Sequence, residues 1–415
     1  MNNARLKHTR PWLGLYMLIF ILACQSIKLK NHDFPIPEDT KTVPIDEQVK
    51  TSYRFDGVYA DNQFDGARMN GFIQKNDSTF RVIISPENTP INASSYFSFR
   101  LRSEQLRDII LEIEYTAHKH RYVPKLSRDK KKWVSMESSK FDTLKAGNLA
   151  SLQLSLDTSW LYVSAQELLT SSDAYAWADS LESKHSFISC ENVGQSIKGR
   201  DIVHLDIHSG QVDSKDNIVI FSRLHPPETS GYIAMKAFVE EVLAETRLAQ
   251  DFRKRYRLLV YPMINPDGVD MGHWRHNAGG VDLNRDWSHY RQKEVKAVAE
   301  HLIDKLKSQK GNVILALDFH STQEDVYYTL TDNRVSVING FKSYWFEAID
   351  KAIPEYTPNE EAYDLNQPIT KGWFYLQFGA ESITFEVGDE TPRDFVKLKA
   401  SVAAQEMMKL LILRG

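Results

Sequence analysis

Two side-chain types that bind metals are closely spaced at residues 221–228, which read Phe-Ser-Arg-Leu-His-Pro-Pro-Glu. His225 and Glu228 are separated by two residues, so an imidazole nitrogen and a carboxylate oxygen can meet at one metal ion if the chain turns sharply. Taken alone, this spacing is also common in surface turns. A catalytic zinc takes three protein ligands and leaves a fourth position open. A metal-site hypothesis therefore requires a third ligand elsewhere in the chain.

Two apolar segments far along the chain carry further reactive side chains. Residues 316–320 (Ala-Leu-Asp-Phe-His) resemble a buried strand that ends in His320. Because the ends of neighbouring strands can meet at one edge of a sheet, His320 can complete a His-Glu-His set. Residues 382–387 (Ser-Ile-Thr-Phe-Glu-Val) place Glu386 inside an apolar strand, where an unpaired carboxylate is costly. Glu386 therefore needs a polar partner, or a raised pKa that would suit acid–base chemistry.

Between these segments lies a polar stretch that is rich in Arg and Asn. It contains Asn-Pro-Asp-Gly at residues 265–268, Gly-His-Trp-Arg at 272–275 and Gly-Val-Asp-Leu-Asn-Arg at 280–285. The first of these is turn chemistry after a strand-length apolar run. Several cationic donors close together suit an anionic substrate, although a long surface loop can have the same composition.

The elements that must position these residues follow from the hydrophobic pattern. Beyond about residue 180, strand-length apolar runs alternate with amphipathic helical segments, which is typical of an α/β fold. The predicted strands are residues 217–222, 257–262, 313–319 and 382–387, and the predicted helices are 230–247, 292–307, 335–352 and 393–413. His225 and His320 would then lie at strand ends, where open α/β sheets carry their binding sites.

The first half of the chain has a different period. From residue 51 to about 160, apolar and polar residues alternate, with turn-forming residues between the segments. A period of two indicates strands with one buried face, and the pattern predicts a small all-β sandwich. Residues 172–184 are expected to form a connecting helix. The predicted organisation is a sandwich with this helix over 51–180 and an α/β domain over 181–415.

Composition excludes several classes of protein. The chain has 415 residues, 42% of them hydrophobic and 26% charged, and a formal net charge of −4, which gives no reason to expect nucleic acid as a partner. It contains only two cysteines, Cys24 and Cys190, which excludes a disulfide scaffold and a cysteine metal cluster.

The N-terminus has the pattern of a targeting segment. Three basic residues within the first ten precede a twelve-residue apolar run at 12–23, which is too short to span a bilayer but typical of a signal-peptide core. The run ends in Ile-Leu-Ala-Cys24, which resembles the lipobox of bacterial lipoproteins; a plain secretory signal is the alternative. Residues 1–24 would thus be a lipoprotein signal peptide with lipidation at Cys24, and 25–50 a flexible tether. Gln25, the next residue, resembles the pattern of lipoproteins that are sent to an outer membrane, which implies a lipid-anchored protein of the bacterial cell envelope.

The ordered set of motifs in the second half resembles the zinc carboxypeptidases of the carboxypeptidase A type. The set runs from His-Pro-Pro-Glu through Asn-Pro-Asp-Gly, Gly-x-x-Arg and Gly-Val-Asp-Leu-Asn-Arg to the strand-end histidine and Thr-Phe-Glu. The resemblance covers about residues 185–415 and implies a mixed, mostly parallel sheet flanked by helices. Residues 86–93 and 96–100 resemble the N-terminal domain of cytosolic carboxypeptidases and their bacterial relatives.

The resemblance implies one zinc ion per chain and assigns its ligands. The three ligands would be His225, Glu228 and His320. Asp282 would orient His225 from outside the coordination sphere, as carboxylates commonly do for metal-bound histidines.

The resemblance also assigns the catalytic and substrate-binding roles. Glu386 would act as general base and then as general acid. Arg275 would polarise the scissile carbonyl and stabilise the negative charge that develops on its oxygen. Asn284 and Arg285 would hold the terminal carboxylate of the substrate, for which a guanidinium group is a natural partner.

Two positions depart from the family pattern. The family's substrate-capping tyrosine usually lies 22 residues before the glutamate, where this chain has Asp364, so the capping role falls on the adjacent Tyr363, with Tyr375 as a competitor. Fifteen residues before Glu386, where the family reads the substrate's side chain, stands Lys371. A cation there predicts a preference for an acidic terminal residue, unless Lys371 is exposed to solvent.

Three hypotheses follow for the function. The first is a lipid-anchored zinc carboxypeptidase that removes one C-terminal residue from a peptide with a free terminal carboxylate. The second is a related zinc amidohydrolase, such as an N-acyl amino acid deacylase, whose substrates also carry a carboxylate. The third is a non-catalytic binding lipoprotein, which the filled catalytic positions disfavour.

Overall fold

The computed structural model describes residues 27–212, 215–307 and 310–414. The predicted signal peptide and Cys24 lie outside the described residues. Among the helices in the described ranges, none combines the length and the apolar character that a membrane crossing requires.

The N-terminal region is rich in short strands that form two sheets. The described strands are β1 (Ser52–Phe55), β2 (Val58–Asp61), β3 (Gly71–Gln74), β4 (Thr79–Ile84), β5 (Ser98–Ser103), β6 (Arg107–Tyr115), β7 (Lys125–Ser127), β8 (Val134–Ser135), β9 (Phe141–Leu144), β10 (Leu149–Leu156) and β11 (Leu161–Ser164). One sheet has the order β1-β2-β5-β11-β7-β8 and the other β3-β4-β6-β10-β9. Alternate residues such as Leu111 and Leu152, which pair across β6 and β10, are buried in a core that both sheets share. This is the β-sandwich that the period of two predicts.

A mixed eight-stranded sheet forms the second region, in the described part of the chain. Helix α1 (Ser171–Lys184) leads into it. Its strands are β12 (Ile188–Gln195), β13 (Asp201–Ile207), β14 (Asp216–Ser222), β15 (Tyr256–Tyr261), β16 (Val313–Thr322), β17 (Val326–Thr329), β18 (Glu360–Ala362) and β19 (Glu381–Gly388). Their order is β12-β13-β15-β14-β16-β19-β17-β18, and the central strands β15, β14, β16 and β19 are parallel to one another. The predicted α/β class is therefore confirmed.

Helices cover both faces of this sheet. They are α2 (Thr229–Leu243), α3 (Arg247–Arg255), α4 (Pro266–Asp270), α5 (Lys293–Lys307), α6 (Phe341–Ala352), α7 (Thr370–Phe378) and α8 (Arg393–Arg414). Ile218 and Ile220 of β14 share a core with α2, α6 and α8, whereas Val219 and Phe221 share one with α5 and α7. Burial on both faces explains why β14 is a continuous apolar run rather than an alternating one.

The helices differ from the sequence prediction at several places. The predicted helix at 230–247 ends at Leu243, because Ala244 has a ψ of 151°, outside the helical range, and a separate helix, α3, begins at Arg247. Helix α4 lies where a turn was predicted.

Helix α6 begins at Phe341 and not near residue 335, because Gly340 has a φ of 81°, which a right-handed helix cannot contain. Helix α7 was not predicted at all, because its aromatic residues are packed around most of the helix and give no amphipathic period.

Residues 27–50, the described part of the tether predicted at 25–50, contact the α/β domain. They form no helix or strand, but Thr40 is buried, and its hydroxyl donates to Asp286 Oδ1 at 2.5 Å. The backbone N–H of Val43 donates to the carbonyl oxygen of Gly279 at 2.9 Å. The segment is docked by hydrogen bonds to residues more than 200 positions away, which local composition cannot reveal.

Candidate metal centre and substrate cleft

The turn between β14 and α2 carries His225 and Glu228. Arg223 has a φ of 55°, and this left-handed residue lets the chain turn sharply at the end of the buried strand. Glu228 immediately precedes the first residue of α2, and its Oε1 lies 2.8 Å from Nδ1 of His225. The predicted convergence of the two side chains is therefore what the structure shows.

His320 reaches the same place from the neighbouring strand. It lies near the end of β16, which is parallel to β14, so its side chain is at the same edge of the sheet. Its Nδ1 lies 2.7 Å from Glu228 Oε2 and 3.1 Å from His225 Nδ1. One ligand atom from each residue lies within 4.8 Å of the other two. Two imidazoles and one carboxylate that converge in this way fit the donor set of a catalytic zinc.

A carboxylate holds the outer nitrogen of each histidine. Nε2 of His225 donates to Asp282 Oδ1 at 2.9 Å, and Nε2 of His320 lies 2.8 Å from Asp318 Oδ2. These contacts fix the rings so that both Nδ1 atoms face the centre. Asp282 was predicted in this position, but Asp318 was not. The available signal was the spacing Asp318-Phe-His320, since alternate residues of a strand point to the same face.

Charged groups of both signs meet at the centre. Burial opposes ionisation of Glu228, but His225 and His320 lower its pKa well below the usual range. Burial likewise disfavours the charged form of His320, yet Asp318 and Glu228 raise its pKa well above the usual value. A metal ion held by the same three residues would take the place of the proton that these pKa shifts put on His320, because metal-binding imidazoles must be neutral.

Glu386 lies beside this centre on the next strand. Strands β16 and β19 are paired in parallel, and the register places Glu386 opposite His320. Burial raises the pKa of Glu386 to about 8; His320 lowers it, whereas Glu228 and Asp318 raise it further. Its Oε2 is buried and has no hydrogen-bond partner in the described part of the chain. This oxygen can therefore receive a proton or a hydrogen bond from a substrate.

A polar cleft of about 210 Å³ opens next to the four residues. Arg275, Asn284, Arg285 and Tyr363 are among its lining residues. Nε of Arg275 donates to Asp282 Oδ2 at 2.8 Å, and Nη1 of Arg285 lies 3.7 Å from the same oxygen. The structure thus brings both predicted anion-binding arginines to one side of the centre.

Lys371 has a different position from the one predicted. It is in α7 and is fully buried, and its ammonium donates to the carbonyl oxygens of Thr329 at 2.6 Å and Tyr363 at 3.0 Å. It also lies 3.3 Å from the centre of the Tyr363 ring. Neither Lys371 nor the alternative tyrosine, Tyr375, is among the described residues that line the cleft. In this structure Lys371 supports Tyr363 from behind and does not face the substrate.

Comparison with known proteins agrees with the geometry of the centre. The family model for zinc carboxypeptidases matches residues 174–401, which is more than half of the chain. The chain belongs to the zinc carboxypeptidase family. This family is zinc-dependent, and the residues of this chain that fit the metal lie just after β14 and near the end of β16.

Cytosolic carboxypeptidases are among the curated relatives of this zinc carboxypeptidase. Cytosolic carboxypeptidase 2 of Xenopus tropicalis is 33% identical over 133 residues, which are 30% of this chain and 14% of the Xenopus protein. Cytosolic carboxypeptidase 6 of Caenorhabditis elegans is 27% identical over 180 residues, which are 41% of this chain and 39% of the nematode protein. The chain thus aligns with less than half of the length of either relative.

Solved structures of bacterial enzymes share the fold. A metallo-carboxypeptidase from Burkholderia cenocepacia has a TM-score of 0.71 at 18% identity, and the match covers 86% of this chain and 98% of that one. A metallo-carboxypeptidase from Pseudomonas aeruginosa has a TM-score of 0.68 at 17% identity, with 85% and 99% covered. Coverage of this extent includes the sandwich as well as the α/β region.

The sandwich of this zinc carboxypeptidase contributes to its cleft. Asn92, Ser94 and Arg121 line the cleft from the N-terminal region. Nε of Arg121 donates to Asp389 Oδ2 at 2.8 Å, just after β19, and Nη1 lies 3.3 Å from Ser94 Oγ. Asn92 belongs to residues 86–93, which resemble the N-terminal domain of cytosolic carboxypeptidases, but that resemblance assigned no role at the cleft to Asn92, Ser94 or Arg121. The alternating pattern of a sandwich does not indicate which of its loops faces the other domain.

A second group of potential metal ligands lies at the sheet edge and differs from the first. It consists of Glu191, His204 and His301. The ammonium of Lys305 contacts Glu191 Oε1 and lies 3.6 Å from Asp206. A lysine cation therefore already balances this carboxylate, whereas the ion pairs of Glu228 within the described residues are with His225 and His320 and not with a lysine or an arginine.

Proposed function

We propose that the protein hydrolyses the C-terminal peptide bond of a peptide, with one zinc ion held by His225, Glu228 and His320. The observation that carries this proposal is the convergence of these ligand atoms within 4.8 Å beside Glu386, which is opposite His320 in the sheet. His320 and Glu386 come from adjacent parallel strands, and His225 and Glu228 from the turn after the strand on the other side of β16, so the sheet brings all four residues to one edge.

Glu386 serves as the proton carrier in this proposal. Zinc, when bound, lowers the pKa of a coordinated water and polarises a carbonyl group. Glu386 accepts the proton of the attacking water and passes it to the departing amine. Its pKa of about 8 reflects burial first, and a cation held by the three ligands would lower that value towards the range of an effective general base.

Three residues on the substrate side bind and orient the peptide. Arg275 donates to the carbonyl oxygen as negative charge develops there. Asn284 and Arg285 bind the terminal carboxylate, which a guanidinium group recognises with paired N–H donors. Asp282 accepts a hydrogen bond from Arg275 and lies 3.7 Å from Arg285, so one carboxylate orients both guanidinium groups.

The test uses purified protein, N-blocked dipeptides and matched derivatives. We expect hydrolysis of dipeptides with a free C-terminal carboxylate, and loss of activity when that carboxylate is converted to an amide. Dipeptides that end in D-residues, tested alongside, define the stereochemistry. Faster cleavage of simple N-acyl amino acids than of any dipeptide would instead favour the amidohydrolase.

We also propose that the enzyme is a lipoprotein of the bacterial envelope, attached at Cys24. The support is the sequence pattern of residues 1–25 alone. We expect Cys24→Ser to move the protein from the membrane fraction to the soluble fraction. Unchanged fractionation of that variant would contradict the anchor.

A further inference from the structure

One carboxylate of the sandwich binds the backbone of the segment that carries Arg275. Glu87 is completely buried in the loop that joins β4 to β5. Its Oε2 accepts a hydrogen bond from the N–H of Trp274 at 2.8 Å. Its Oε1 accepts one from Arg275 at 3.0 Å and another from His276 at 2.8 Å. Three successive peptide groups of the α/β domain are thus held by a single side chain of the other domain.

The same segment places an aromatic side chain inside the sandwich. Trp274 is completely buried and belongs to the sandwich core, although it lies far along the chain in the α/β half. Trp274 and Arg275 are adjacent, so consecutive side chains serve two sites: one fills the sandwich core, and the other enters the cleft. The position of Arg275 therefore depends on the sandwich at its backbone and on Asp282 at its guanidinium group.

Glu87 is suited to this task by its charge. Burial opposes its ionisation, but His276, His273 and Arg68 lower its pKa well below the usual range. Hydrogen bonds from backbone N–H groups to an ionised carboxylate are shorter and stronger than neutral ones. A neutral amide at this place would offer one acceptor oxygen and would turn an N–H₂ group towards a backbone donor.

We propose that Glu87 is a positioning residue, through which the sandwich domain sets the place of Arg275 in the cleft. This inference rests on the proposed function, because it takes Arg275 to stabilise the carbonyl oxygen during peptide hydrolysis. If Glu87 has this role, the sandwich domain is needed to form the active site. A displacement of about 1 Å at such a group is enough to cost on the order of 100-fold in rate.

The test compares Glu87→Gln with a matched control, Glu112→Gln. Glu112 is also in the sandwich, and its carboxylate binds Arg81 on the neighbouring strand. We expect Glu87→Gln to lower kcat by about 10- to 100-fold, with little change in KM and full zinc content. We expect Glu112→Gln to leave both constants within about twofold of wild type. A Glu87→Gln enzyme with unchanged kcat would overturn the proposal.

A double variant separates positioning from a general structural defect. In an Arg275→Ala background, Glu87→Gln should have almost no further effect on kcat/KM, because the residue through which it acts is absent. Fully additive losses would overturn the proposal. If Glu87→Gln does not fold, Glu87→Asp is the second variant, because it keeps the charge and moves the carboxylate back by one methylene. It should lower kcat by a smaller factor, again with almost no further effect in the Arg275→Ala background.

A second measurement keeps this inference separate from the proposed function. Amide hydrogen exchange at residues 274–276 should accelerate in Glu87→Gln while exchange in β14 and β16 stays unchanged. Unaltered protection at 274–276 would contradict the role of Glu87. A wild-type enzyme that cleaves no peptide would contradict the proposed function, and the exchange experiment would still decide whether Glu87 holds this segment.

Discussion

The zinc side and the substrate side of the cleft are built differently. On the zinc side, His320 and Glu386 lie opposite each other on paired strands, and His225 and Glu228 lie in the turn that follows a third strand, β14. On the substrate side, Tyr363 lies outside the strands and rests on Lys371 of α7, and Arg121 comes from the sandwich. Reactive groups are thus fixed by the register of a sheet, whereas recognition groups depend on contacts between distant segments.

The largest effect is expected where the zinc side is broken directly. In His320→Ala, zinc content should fall steeply and activity should be lost, because two ligands hold zinc far less well than three. Elemental analysis of the purified variant measures this. The exposed His289, changed to Ala, is the control and should keep its zinc. Full zinc occupancy in His320→Ala would show that the ligand set is wrong.

The next effect isolates the base from the metal. Glu386→Gln should keep zinc and peptide binding but lower kcat by roughly 10²- to 10⁴-fold, since the amide cannot accept the proton of the attacking water. Glu381→Gln provides the control, because Glu381 is at the other end of β19 and binds Ser336 Oγ at 2.7 Å. A kcat within about tenfold of wild type in Glu386→Gln would require a different base.

Sequence reasoning predicts the zinc side because its evidence is local. Each ligand lies at the end of an apolar run or shortly after one. The carboxyl ends of parallel strands meet at one edge of an α/β sheet, and this does not depend on the conformation of the loops. The predicted strand at 313–319 corresponds to β16 at Val313–Thr322, so the histidine is in the expected place. Asp318 was also within reach of such reasoning, through its alternation with His320.

The substrate side could not be predicted in the same way. Lys371 was expected to face the substrate's side chain, but it is buried in α7, and its ammonium donates to the carbonyl oxygens of Thr329 and Tyr363. The docking of residues 27–50 and the hydrogen bonds of Glu87 join segments far apart in sequence. Contacts of this kind leave no periodic signal, because the partner that explains each residue is elsewhere in the chain.

An intermediate effect is expected at Asp318. Asp318→Asn should weaken zinc binding by about 10- to 100-fold. The carboxylate of Asp318 orients the ring of His320 and raises its basicity, and a neutral amide does both less well. Titration with a competing chelator measures the affinity. Asp304→Asn, an exposed change on α5, should bind zinc like wild type. Equal affinities in Asp318→Asn and wild type would show that the sheet alone orients His320.

The smallest effect on activity is expected at Lys371, where sequence and structure disagree. Burial, with a further contribution from Lys342, lowers the pKa of Lys371 to about 7, and two carbonyl oxygens take its hydrogen bonds. Lys371→Met should therefore leave the ratio of kcat/KM for matched peptides ending in Glu and Leu within about twofold of wild type. The same variant should melt at a lower temperature, since each buried carbonyl that loses its partner costs roughly 1–3 kcal/mol.

Lys351→Met distinguishes this local loss from the general loss of a lysine. Lys351 is exposed at the end of α6 and pairs with Glu347, so its replacement should change neither the melting temperature nor the ratio. A wild-type preference for Glu that disappears in Lys371→Met would mean that the ammonium leaves Thr329 and Tyr363 when substrate binds. The substrate side would then be remodelled by its ligand, and its difference from the zinc side, whose residues the sheet positions, would be larger still. An unchanged ratio with a lower melting temperature would instead mean that Lys371 acts only by supporting Tyr363.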